Sequence, residues 1–257
     1  MLELNNISKY YNTGTVNEMC LFQDFNLSVE EGQFVSVVGS NGSGKTSMLN
    51  IICGSIPVDS GTIYIGNENI TDMPEFKRQR RIGRVYQNPA MGTCPHMTIL
   101  ENMALADNKG KFFNLRPGTD KKRVDSYRES LSSLGLGLED KLHVKVGVLS
   151  GGQRQAMALL MSTMTPIQFL ILDEHTAALD PKTAETIMEL TGRVVKEKKL
   201  TTIMVTHNLR YAVEYGDRLL MMHQGQAVMD EIGEKKAAIR IEDLLERFNA
   251  ISIECGN

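Results

Sequence analysis

Residues Gly39 to Thr46 read GSNGSGKT and fit the spacing G-x-x-x-x-G-K-[ST] without a mismatch. That spacing makes a loop that wraps phosphate: glycines let backbone N–H groups curl around the anion, and a lysine adds a point charge. Lys45 would meet the β- and γ-phosphates of a nucleotide, and the Thr46 hydroxyl could ligate Mg²⁺. Further along, FLILDE (Phe169 to Glu174) is an apolar run closed by two carboxylates. Asp173 could hold the magnesium through its water shell. Glu174 would lie beyond the γ-phosphate, where an attacking water needs a base. Two acids can also merely end a strand and cap the next helix; a phosphate loop in the same chain favours the chemical reading. A second glycine-rich stretch, LSGGQ at Leu149 to Gln153, turns into a helical pattern. Free N–H groups at a helix start attract anions, so the chain carries a second phosphate-binding feature with no evident phosphate of its own.

These residues act only if strand ends and helix starts position them. FNLSVEEGQFVSVVG reads as two strands with a turn at Glu31-Gly32, followed by a helix from Lys45 to Cys53. GTIYIGNENI and RIGRVYQ read as short strands. From Asn88 to Val148 the period becomes helical, in TILENMALA and DKKRVDSYRESLSSLG, which predicts a helical insertion. A helix from Gly152 to Met164 comes next, then a buried strand (QFLILD) and a helix opened by Pro181. TTIMVT reads as another strand, DRLLMMHQGQAVMDE as a hairpin, and Glu234 to Asn249 as one amphipathic helix. Strands alternating with helices predict an α/β fold with a mostly parallel sheet covered on both faces.

Composition sets outer limits. The chain has 257 residues, 42% of them hydrophobic, enough for one large domain or one domain with an insertion. Lys and Arg total 28 against 31 Asp and Glu, a net charge of −3, so nucleic acid is not the expected partner. Cys20, Cys53, Cys94 and Cys255 form no C-x-x-C pair, which points away from zinc or a disulfide framework and toward a reducing compartment. The N-terminus is not patterned as a signal peptide, and no apolar run approaches membrane-spanning length. Met157, Met161 and Met164 recur at helical spacing, as core residues do. His96, His143 and His223 show no metal spacing.

Taken together, the phosphate loop, the acidic strand and LSGGQ after a helical insertion resemble the ATP-binding cassette ATPases, the motor subunits of ABC transporters. The resemblance spans nearly the whole chain. It implies a P-loop NTPase core (1–87 and 149–257), an N-terminal antiparallel β subdomain and a helical subdomain at 88–148, within one domain of 1–257. It implies ATP and Mg²⁺ as cofactors, with Gly39, Ser40, Asn41, Gly42, Ser43, Gly44, Lys45, Thr46 and Ser47 around the nucleotide. It also implies a head-to-tail pair of chains, in which Ser150, Gly151, Gly152 and Gln153 of one copy close on ATP held by the other.

Further matches follow the same pattern. Gln87 in VYQNP corresponds to the family's magnesium- and water-sensing glutamine, and Asp180 in AALD to the loop that touches the opposite subunit. His207 in TTIMVTH corresponds to the histidine that contacts the γ-phosphate and holds the catalytic carboxylate, and Tyr11 in SKYYN to the aromatic that stacks on adenine. His175 departs from the pattern, since the family usually has proline there; a structural role is expected for it. A lone cassette without a membrane span is similar to importer subunits, which act on a separate integral membrane permease at the cytoplasmic face of the membrane. GTVNE and DEHTAALDPKTA resemble a subgroup serving branched-chain-like amino acid and tryptophan or tyrosine permeases with extracellular binding proteins. The alternative is a soluble ABC ATPase of a cytosolic assembly machinery of the iron–sulfur scaffold type. The weakly charged stretch Asn88 to Met97, with Met91, Pro95 and Met97, is the expected permease contact.

Overall fold

The computed structural model describes residues 1–111 and 118–254, with side chains through 250; Cys255 lies outside the described residues. The chain forms two compact units, Met1–Gln79 with Lys199–Asn257, and Arg80–Lys198.

In the first unit, an antiparallel sheet combines β1 (Leu2–Tyr11), β2 (Met19–Val29), β4 (Ser60–Ile65) and β5 (Glu68–Asn69) in the order β2-β1-β4-β5. β1 escapes a simple two-residue period. Asn6 has φ 52°, the register shifts between Leu4 and Ile7, and the two core-facing runs fall out of phase. A separate, largely parallel set is built on β3 (Phe34–Gly39), all six of whose residues are buried. β3 runs parallel to β8 (Thr202–Val205) on one side and β9 (Arg218–His223) on the other, and β10 (Gln226–Ile232) closes a hairpin with β9. A strand buried on both faces reads as a continuous apolar run, as FVSVVG does.

α1 (Lys45–Cys53) has the bounds expected from sequence and buries Met48, Leu49, Ile51 and Ile52. Its last carbonyls are taken up by Arg78 of α2 (Glu75–Arg78), which donates to Ile51 O at 2.8 Å and Ile52 O at 3.1 Å. α7 (Leu209–Glu214), capped by Asn208, follows β8 and went unrecognised in the sequence because it is so short. The single helix expected over Glu234 to Asn249 is instead two, α8 (Glu234–Ala237) and α9 (Ile241–Glu254). The break has a cause. Lys236 is buried and donates to Val213 O at 2.6 Å and Tyr215 O at 3.2 Å, and Ile239 enters the core beside Val38, Leu219 and Leu244. Asp243 then caps the new helix by accepting from Arg240 N–H at 2.8 Å.

In the second unit, β6 (Ile82–Val85) runs parallel to β7 (Phe169–Asp173), pairing Val85 with Leu172. α3 (Ile99–Asp107) and α4 (Val124–Ser132) lie in the interval expected to be helical, where the described residues form no strand beyond one isolated bridge, Thr98 to Lys145. α3 opens on a full capping box: Glu101 N–H donates to Thr98 Oγ1 at 3.2 Å, and Thr98 N–H to Glu101 Oε2 at 2.7 Å. α5 (Gly151–Ser162) and α6 (Pro181–Lys198) complete the unit and pack on each other. Among the described residues, no helix is long and apolar enough to cross a membrane.

Candidate nucleotide site

β3 delivers the chain into the loop Gly39–Gly44, and α1 begins at Lys45. The turn into the helix requires a left-handed residue. Gly44 has φ 100°, and a Cβ there would come 2.9 Å from the Phe22 ring, so no larger residue fits. Four N–H groups at a helix start lack intrahelical acceptors, and the macrodipole adds positive potential. Lys45 is buried against this loop. Its Nζ donates to Gly39 O at 2.7 Å, Ser40 O at 2.9 Å and Ser43 Oγ at 3.4 Å. The ammonium is thus held inside the curve of the loop, where a phosphate can share it, and the cradle fits a polyphosphate.

His207 emerges on the neighbouring strand. Val205 pairs with Val37, and Thr206 N–H donates to Val37 O at 3.1 Å, so His207 leaves β8 at the level where Gly39 leaves β3. Its ring is exposed, two residues past the strand end rather than on it. On the other side of β3, His223 Nδ1 lies 3.5 Å from Ser40 Oγ, and Gly225 N–H donates to Ser43 O at 3.0 Å. The β9–β10 turn therefore braces the phosphate loop, a contact that the sequence showed only as a hairpin. Tyr11 ends β1 in the antiparallel sheet, half-buried, with Lys9 Nζ 5.7 Å from its ring centroid.

The second unit brings Asp173, Glu174 and Gln87 to adjacent parallel strand ends. With Val85 opposite Leu172, Gln87 follows β6 at the level where Glu174 follows β7. Gln155, fully buried on α5, donates to Tyr86 O at 3.1 Å and fixes the backbone just before Gln87. Asp173 Oδ2 accepts from Arg84 Nη2 at 2.6 Å, and both side chains are largely buried. Arg84 also lies over the Tyr86 ring, 4.7 Å from its centroid. Sequence reading missed Arg84, because one arginine in a strand carries no motif.

In the first unit Thr46 offers a hydroxyl beside the phosphate loop; in the second, Gln87 and Asp173 offer a carboxamide and a carboxylate. Oxygen donors of these kinds suit a hard cation such as Mg²⁺. Among the described residues, no cluster of three or more His, Cys, Asp or Glu has the arrangement of a metal cage.

The LSGGQ stretch becomes the start of α5. Ser150 is its N-cap: Gln153 N–H donates to Ser150 Oγ at 3.3 Å, and Ser150 N–H to Gln153 Oε1 at 3.3 Å. Gln153 Nε2 also donates to Leu136 O at 3.2 Å. Ser150 and Gly151 are exposed, and Gly152 is buried. Asp180, before α6, is held below the usual carboxylate range chiefly by the Thr183 side chain and then by Thr183 N–H, which donates to it at 3.1 Å.

The ABC transporter family profile matches residues 22–177. A tyrosine transport ATP-binding protein of Clostridioides difficile (strain R20291) is 44% identical over 248 residues, covering 96% of this chain and 98% of the relative. A spermidine/putrescine import ATP-binding protein of Fusobacterium nucleatum subsp. nucleatum is 32% identical over 90% of this chain and 60% of its own length. Among solved structures, an ATP-binding cassette caught as a dimer in a post-hydrolysis state with ADP and Pi superposes with a TM-score of 0.76 at 31% identity, covering 90% of this chain and 98% of that one. The chain belongs to the ATP-binding cassettes of ABC transporters. It is an ATP-hydrolysing cassette with the α/β architecture of that family.

Proposed function

We propose that this cassette powers an importer, working as a head-to-tail pair of copies on a separate membrane permease, with an amino acid as cargo. The observation that carries the pairing is α5. Its start is exposed, capped and glycine-rich, an anion-binding feature additional to the phosphate loop at α1. In a two-fold pair each nucleotide would meet α1 of one copy and α5 of the other. The dimeric solved cassette supports this arrangement. The relative named for spermidine/putrescine import supports the direction, and the one named for tyrosine transport supports the cargo class.

In this reading, Lys45 exchanges its bonds to Gly39 O and Ser40 O for phosphate oxygens, and the α1 N–H groups hold the β-phosphate. Mg²⁺, held by Thr46 and approached by Asp173 and Gln87, would neutralise charge developing on the phosphates. Glu174 takes the proton of the attacking water, and His207 keeps that carboxylate in place. Ser47 and Asn41 line the loop, Tyr11 stacks on adenine, and Ser150 to Gln153 and Asp180 belong to the contact between copies. Residues 88–148 act as the helical arm between Gln87 and the signature loop.

Glu174→Gln tests the core of this reading. It should bind ATP, hydrolyse it far more slowly and accumulate as an ATP-bound dimer in sedimentation. A sample that stays monomeric at saturating ATP and Mg²⁺ contradicts the pairing, and near-normal turnover contradicts the base. For the transport role, the neighbouring reading frames are searched for a many-spanning permease, and the cassette is co-expressed with it and reconstituted with its binding protein. ATPase stimulated by an amino acid is expected; if no membrane protein co-purifies, the assembly-factor alternative replaces the importer.

A further inference from the structure

Glu174 occupies an unusual backbone conformation, with φ 48°, the left-handed region that residues with a Cβ avoid. Such a conformation persists only where neighbours over-determine it. One restraint is local: Ala177 N–H donates to Glu174 O at 2.9 Å and closes a turn. A further restraint comes from the next residue. His175 is buried, 2% exposed, and its Nε2 lies 3.1 Å from Thr191 Oγ1 in the middle of α6. Thr191 Oγ1 donates its only proton to Ile187 O at 2.7 Å. The hydroxyl must therefore accept from the imidazole, which fixes the tautomer with the proton on Nε2. The chain His175–Thr191–Ile187 thus ties the residue after Glu174 to a rigid eighteen-residue helix.

We propose that His175 is a positioning residue, which holds the Glu174 backbone in its left-handed conformation through the hydrogen bond to Thr191 and so sets where the carboxylate points. The inference rests on Glu174 being the base. A buried donor left without its acceptor relaxes until it finds another, and His175 is joined to Glu174 by a single peptide bond, so its movement is passed to the Glu174 backbone. A displacement of about 1 Å at a catalytic group costs up to a hundredfold in rate without touching substrate binding.

The test compares His175→Leu, His175→Gln, Thr191→Val and Thr191→Ser in the full chain. His175→Leu and Thr191→Val remove the bond; kcat should fall about tenfold or more, while KM and the affinity for a fluorescent ATP analogue stay within about twofold. His175→Gln keeps a nitrogen donor at a comparable reach, and Thr191→Ser keeps the hydroxyl; both should recover most of the lost kcat. The inference is overturned if His175→Leu turns over at the wild-type rate per folded molecule, or if His175→Gln is folded yet as slow as His175→Leu. Should His175→Leu not fold, the Thr191 pair decides: equal kcat for the valine and serine variants refutes the tether. Glu174→Gln run alongside separates the two claims. If it hydrolyses normally, the base assignment fails; if it is inactive while His175→Leu is not, only the tether fails.

Discussion

Ser150 has two duties that can be pulled apart. In the free chain it caps α5, with Oγ accepting from Gln153 N–H; in the proposed pair it meets the partner's γ-phosphate. Ser150→Ala removes both. The lost cap costs about 1 kcal/mol, a fall of roughly 2–4 °C in Tm for a chain of this size. Ser150→Asp removes only one, because aspartate caps as well as serine, and the exposed helix start has room for it. Stability should therefore stay within about 0.5 kcal/mol of wild type. In the pair, however, the new carboxylate faces a phosphate. Two unit charges about 4 Å apart repel by roughly 4 kcal/mol at an effective dielectric near 20, on the order of a thousandfold in dimer affinity. The assays are thermal melting for the cap and ATP-driven dimerisation in the Glu174→Gln background for the contact. Ser150→Asp should melt like wild type and fail to pair, whereas Ser150→Ala should melt earlier and pair only weakly. Ser150→Asp that pairs normally with ATP would refute the contact in trans. Activity loss that tracks melting temperature across both variants would reduce Ser150 to a helix cap. A mixture of Ser150→Asp and Lys45→Ala chains should regain hydrolysis, since each mixed pair keeps one intact site.

Three other outcomes follow from the geometry. Gly225→Ala should weaken ATP binding and lower Tm together: Gly225 has φ 75°, its added Cβ would collide with the Leu21 carbonyl, and its N–H braces Ser43; isothermal titration and melting check both, and unchanged affinity rejects the brace. Asp107, despite burial that pushes its pKa up, is held below the usual carboxylate range by Tyr127 Oη at 2.8 Å and Arg123 at 2.9 and 3.0 Å, while burial foremost pushes Tyr127 up to about 12. Because the folded pKa is depressed, that stability is present above the unfolded pKa near 4 and lost as pH falls through the folded value; Asp107→Asn should cost about 1–3 kcal/mol at pH 7 in denaturant titration, with the gap closing in acid. Met91 is 68% exposed on the stretch after Gln87; Met91→Glu should leave basal ATPase intact and reduce co-purification with the permease, and normal assembly with transport places the docking surface elsewhere.

What the sequence disclosed and what it hid divide along a physical line. The phosphate loop, α1 and the LSGGQ helix were legible because their requirements are local: glycines where φ must be positive, a cap at Ser150, a helical period after it. The acidic strand end was legible for the same reason, since β7 is a short apolar run closed by Asp173. β1 was hidden because the bulge at Asn6 breaks its alternation, and the split between α8 and α9 because it depends on Lys236 reaching Val213 and Tyr215, more than twenty residues away. The same holds for the groups that tune the candidate site. Arg84 meets Asp173 across 89 residues, and His175 meets Thr191 across 16. Neither pair has a period or a spacing to detect; each exists only because a strand pair or a helix happens to fold beside the other. Arg84 shows why this matters for function. Its guanidinium already sits on the carboxylate proposed to approach magnesium, so Asp173 must divide its interaction between a fixed cation and an arriving one. The motif names the ligand, but the strength with which that ligand can serve a metal is set by a partner that only the fold supplies.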